Sequence, residues 1–74
     1  MLNNFNNNRN YWYVTKIPDN VYIKDIIIYS NLFELDISFD FKNMHLYASN
    51  YQNIKLLNKI IKVCREIYSR NINS

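Results

Sequence analysis

The side chains that could carry chemistry in this 74-residue chain are few. Asp19 follows Pro18, and Asp40, Phe41 and Lys42 stand in a row. Two carboxylates that hold a divalent metal and a lysine that positions a water make a hydrolytic centre, provided the three groups converge. Their surroundings argue against convergence, because Pro18-Asp19-Asn20 and Lys42-Asn43 both read as turns. Asp40 and the single histidine, His45, have the types of an acid–base or metal-binding pair. Set opposite each other on neighbouring strands, they make an ordinary surface ion pair instead. The single cysteine, Cys64, lies between Ile61 and Ile67 on an apolar stripe, with no histidine near it in sequence. That is the setting of a structural thiol, not of a nucleophile. Glycine is absent, so no glycine-rich phosphate loop can form. The sequence predicts no enzyme, no cofactor and no metal.

Length and composition narrow the class. A chain of this size forms one domain and buries only about 60–65% of the surface it exposes when unfolded. Hydrophobic residues make up 49% and charged residues 20%, which is not the balance of a disordered chain. No apolar run approaches the roughly 18–20 residues of a membrane span, and no cleavable signal pattern opens the chain. One cysteine leaves no internal disulfide, the usual staple of small secreted domains. The expectation is a cytoplasmic protein with no membrane partner. Asparagine occurs 14 times and isoleucine 11 times, against one proline and one alanine, as codon usage in an AT-rich genome would give.

Residues 1–10 are asparagine-rich and have no apolar period, so they read as a flexible arm before a single domain over 11–74. Four apolar runs rich in Tyr, Val, Ile and Phe follow: 11–17, 21–29, 33–41 and 44–49. Their composition suits a pleated, half-buried surface. In the third run Phe33, Leu35, Ile37, Phe39 and Phe41 alternate with Glu34, Asp36, Ser38 and Asp40 without a fault, the mark of a strand with one face in a core. With Lys42-Asn43 as a two-residue loop, Phe39 faces Leu46, Ile37 faces Ala48, Asp40 faces His45 and Ser38 faces Tyr47. Both faces agree with that one register. Ser30-Asn31 is short enough for another tight hairpin, with Asn supplying positive φ where glycine is lacking. Beyond Ser49 the apolar period becomes 3.6, through Ile54, Leu57, Ile60, Ile61, Cys64, Ile67 and Tyr68. Ser49-Asn50-Tyr51-Gln52 fits a capping box that opens a helix running to about Arg70.

These pieces predict an α+β fold of two layers, a four-stranded antiparallel sheet under one C-terminal helix in β-β-β-β-α order. One helix covers one face and leaves the other open. Pairing the second run with the third puts Tyr22, Ile26 and Ile28 on the helix side. Val21, Ile23, Ile27 and Tyr29 then join Tyr47, Glu34, Asp36, Asp40 and His45 on the open side, with Lys24-Asp25 at a bulge, and at least one of the alternating aromatics Tyr11, Trp12 and Tyr13 belongs there too. Large apolar and aromatic side chains on such a face mark an interface. The alternative is that a register shift buries them under the helix. Residues 1–49 hold four basic and five acidic residues, and residues 50–74 hold five and one. Nucleic acid on the open face would meet Glu34, Asp36 and Asp40, whereas a protein with basic residues meets no such repulsion. Carboxylates spaced about 6.7 Å apart along a strand could also imitate a phosphate backbone.

The leading expectation is a non-catalytic interaction protein that binds a protein partner, or itself as a homodimer, through the open sheet face. In size and in its lack of catalytic motifs the chain resembles the small inhibitors, anti-CRISPR proteins included, that phages and other mobile elements encode against host defence. That resemblance implies a viral or mobile-element protein acting in the host-cell cytoplasm. The alternative is a nucleic-acid-binding protein that contacts phosphates through Lys55, Lys59, Lys62, Arg65 and Arg70 of the basic helix, with Arg9 of the arm.

Overall fold

The computed structural model describes residues 12–73, so the expected arm lies outside the described residues. The chain forms β1 (Tyr13–Lys16), α1 (Ile23–Leu32), β2 (Ile37–Asp40), β3 (His45–Ala48) and α2 (Tyr51–Asn73). It is an α+β fold with a three-stranded antiparallel sheet in the order β1-β3-β2. The β2–β3 register is the one the alternation requires: Ile37 with Ala48, Ser38 with Tyr47, Phe39 with Leu46 and Asp40 with His45. On the other side of β3, Val14 pairs with Tyr47 and Lys16 with His45. The connection is not a two-residue loop. Residues 41–44 form the turn, and Met44, not Asn43, takes positive φ, at 57°. Asp40 holds this turn by accepting hydrogen bonds from the backbone N–H and the side-chain amide of Asn43, the latter at 2.9 Å.

The second apolar run is a helix. The expected four strands and single helix are therefore three strands and two helices, and no hairpin forms at Ser30-Asn31 and no bulge at Lys24-Asp25. Tyr22, Ile26, Tyr29, Ser30 and Phe33 recur at helical spacing, and Ile26 and Ser30 are buried. Asp25 sits in the first turn, where a negative charge suits the helix dipole. The C-terminus closes as a Schellman motif: Glu34 N–H donates to the Asn31 carbonyl and Leu35 N–H to the Ser30 carbonyl at 2.9 Å. Glu34 occupies the left-handed position at φ 55°. It stands on a helix cap, so it does not belong to the strand face, and the run over 33–41 contributes only Ile37–Asp40 to the sheet. Glycine takes that conformation without the Cβ clash, so Glu34→Gly is expected to raise stability by about 1 kcal/mol. A denaturant midpoint that does not move would contradict the cap.

Helix α2 starts one residue later than the capping box implied. Asn50 caps it by accepting from Asn53 N–H at 2.8 Å, while the Asn53 side chain reaches back to Ser49 Oγ. Its stripe of Ile54, Leu57, Ile60, Ile61 and Cys64 is buried, and with Ile17, Val21, Ile26, Leu46 and Ala48 it makes the core. Thr15 Oγ1 meets Asn58 Oδ1 at 3.4 Å and Tyr13 packs edge-on against Tyr51, so α2 lies over the β1 side of the sheet. Tyr22 packs on Tyr68 at 4.9 Å, which sets the start of α1 beside the end of α2. Helix α1 therefore packs against α2, and its Ile26 belongs to the same core as Leu46 and Ala48 of the sheet. Ser30 Oγ is buried in this layer without a hydrogen-bond partner among the described residues. Such a group destabilises, so Ser30→Ala is expected to add about 1–2 kcal/mol, readable as a higher melting temperature.

Candidate interaction surface

Strand alternation sorts the side chains of the sheet into two sets. Tyr13, Thr15, Ile37, Phe39, Leu46 and Ala48 lie on the helix side, and the paired residues between them point away. Two registered rows result: Val14–Tyr47–Ser38, and Lys16–His45–Asp40. Trp12 continues the Val14 side one step before β1. Val14 is 54% exposed and Trp12 73%, Tyr47 and His45 are half-buried, and Ser38 at the β2 edge of its row is buried. The His45 and Tyr47 rings meet edge to face at 6.2 Å. The face is an apolar and aromatic strip of Trp12, Val14 and Tyr47, with a row below it that runs from the cation Lys16 to the anion Asp40.

The expected membership of the open face is corrected by helix α1. Val21 is buried in the core, and Ile23 and Tyr29 are partly buried against it. Ile27 is half-buried on α1. None of the four lies on the sheet, and the alternative of a strand shifted in register is not found either: Ile23, Ile27 and Tyr29 stand on a helix of their own. Tyr47, Asp40 and His45 lie on the side away from the helices, while Asp36 stands before the start of β2. The evenly spaced carboxylate array loses Glu34 to the α1 cap. Trp12, Val14 and Lys16 take the place of the apolar residues lost. The aromatic expected here from 11–13 is Trp12; continued alternation through Tyr13-Val14-Thr15-Lys16 could also have found Val14 and Lys16, because it fixes their side once β1 is paired.

The basic residues Lys55, Lys59, Lys62, Arg65 and Arg70 are all exposed on α2. Its one acidic residue is Glu66. The chemistry-bearing groups stay apart. No cluster of three His, Cys, Asp or Glu residues able to hold a metal occurs among the described residues. Asp40 stands opposite His45, but its carboxylate is held by Asn43, whose side-chain hydrogen bond keeps it ionised to below the usual carboxylate range. Cys64 is buried, and burial together with the nearby Asp25 charge pushes its thiol up, away from the thiolate that a nucleophile needs.

No helix among the described residues is long and apolar enough to cross a membrane. Compared with protein families, with curated proteins and with solved structures, the chain finds no match.

Proposed function

We propose that the chain is a small non-catalytic interaction protein that binds a protein partner, or a second copy of itself, through the open sheet face. The observation that carries this reading is the strip of Trp12, Val14 and Tyr47. A sheet face meant for water reads polar, whereas this one pairs the exposed branched side chain of Val14 with the phenol of Tyr47, with the exposed indole of Trp12 just before the strand. Aromatic side chains at the centre of a patch with charges at its edge are the usual composition of a protein interface. Lys16, His45 and Asp40 supply the charged edge and would fix the orientation of the partner. The resemblance to phage and mobile-element inhibitors suggests a component of a host defence system as that partner.

The decisive variant is Trp12→Ser combined with Val14→Ser. Both side chains stand outside the core, so the circular dichroism spectrum and melting temperature are expected to match the parent. Self-association in sedimentation, or capture of the partner, is expected to disappear, because truncating central contacts costs about 1 kcal/mol or more each. Binding that survives in a folded double variant would remove the sheet face from consideration. The five exposed cations of α2 support the second reading, contact with phosphates. The two readings part on salt, since phosphate binding weakens steeply as counterions compete and an apolar interface does not.

A further inference from the structure

We propose that the cleft between α1 and α2 is a docking groove for an amphipathic helix of a partner protein, apolar on the buried face and acidic along one flank. This site is separate from the sheet face. Tyr29 of α1 and Phe33 at its C-cap line it with Leu56, Lys59, Ile60 and Val63 of α2, around a volume of about 270 Å³. Leu56, Ile60 and Val63 are spaced by four and three, so they form one stripe along two turns of α2, about 10 Å of helix. Phe33 is 55% exposed and Val63 44%, and Leu32 and Ile28 extend the apolar surface along α1. The core is complete without them.

Three observations select the occupant. The groove is walled by side chains of two helices whose backbone groups are paired internally, so it offers no ladder to an extended strand. Only a segment that satisfies its own backbone, a helix, can enter without leaving buried polar groups unpaired. The α2 rim is cationic: the stem of Lys59 lines the groove, and Lys55 and Lys59 together flank Leu56 in the adjoining depression. No acidic side chain lines the groove or the adjoining depression, so this rim calls for carboxylates on the incoming helix. A second copy presenting its own α2 would set lysine against lysine. Nucleic acid would match the rim but would desolvate against Phe33, Leu56 and Val63.

The test uses two synthetic amphipathic peptides of about 14 residues, long enough to span the stripe. Both carry leucine at i, i+3, i+4 and i+7; one has glutamate on its flanks and the other lysine. Binding to the full chain is measured by fluorescence anisotropy, and its location by amide shifts in two-dimensional NMR. The acidic peptide is expected to bind at least about tenfold more tightly than the basic one and to shift Tyr29, Phe33, Leu56 and Val63. Val63→Asp is expected to weaken it by about tenfold or more. The Lys55→Glu, Lys59→Glu double variant, a surface change that leaves the fold intact, is expected to reverse the preference. Equal binding of the two peptides, binding of neither, or shifts confined to Val14 and Tyr47 would overturn the proposal. So would a dimer of the parent chain that Val63→Asp dissociates, since that would make the occupant a second copy.

Discussion

Leu57→Ala is expected to remove a large share of the fold's stability. Leu57 is fully buried at the centre of the α2 stripe, in the cluster where Ile26 of α1 meets Leu46 and Ala48 of the sheet. Removing its isobutyl group loses transfer free energy and leaves a cavity among elements that cannot all close in on it, a cost of about 2–5 kcal/mol. A chain of this length has roughly 4–11 kcal/mol of stability in total. Leu56 is the internal control, adjacent in sequence but partly exposed and outside the core. Leu56→Ala should cost less, about 1–2 kcal/mol, since part of its side chain already meets solvent and its loss leaves no enclosed cavity. Urea titrations of the pair measure the difference directly. If Leu57→Ala melts like the parent, α2 does not pack on the sheet through this stripe.

The hairpin and α2 were legible because their signals are redundant. In β2 and β3 the apolar face and the polar face each select the same register, so a one-residue slip would fail on both faces at once. In α2 the stripe repeats over four turns, enough for the period to stand out from any single residue. The cap was misplaced by one position because Ser49, Asn50 and Asn53 can all serve, and only the geometry shows that Asn50 accepts the bond.

Helix α1 was not legible, and each missing signal has a physical origin. Ile26-Ile27-Ile28 is a β-branched run with local preference for strand, and burial against α2 overrides it. The stripe that would announce a helix is interrupted by Ser30, a polar residue in a buried position. The helix starts at Tyr22 with no side-chain cap, and it stops at Glu34 where glycine would have been the sign. In a chain without glycine every left-handed position must be taken by another residue. Those stop signals are erased at Glu34 and again at Met44. The working surface inherited the error. Four of its eight expected residues sat on this run, while Tyr47 and Asp40 rested on the hairpin register and kept their side.

Ile28 separates the helix from the strand more sharply than any other position. As a strand, the run would place Ile28 in the core, and Ile28→Ala would cost about 2–5 kcal/mol in lost burial and cavity. On α1 the side chain is 56% exposed, so little burial is lost. Alanine is the better helix former by a few tenths of a kcal/mol, so Ile28→Ala is expected to be neutral or slightly stabilising. Ile28→Pro is expected to behave oppositely. Position 28 is in the interior of Ile23–Leu32, where proline removes an i to i−4 hydrogen bond and its ring strikes the preceding turn, a cost of about 3 kcal/mol or more. Strands also suffer from proline, so the proline variant alone decides nothing; the alanine result carries the distinction. Thermal and urea melts of both variants give the two signs. A folded parent that Ile28→Ala destabilises by as much as Leu57→Ala would return this segment to the sheet. It would also take Tyr29 and Phe33 away from the groove beside α2.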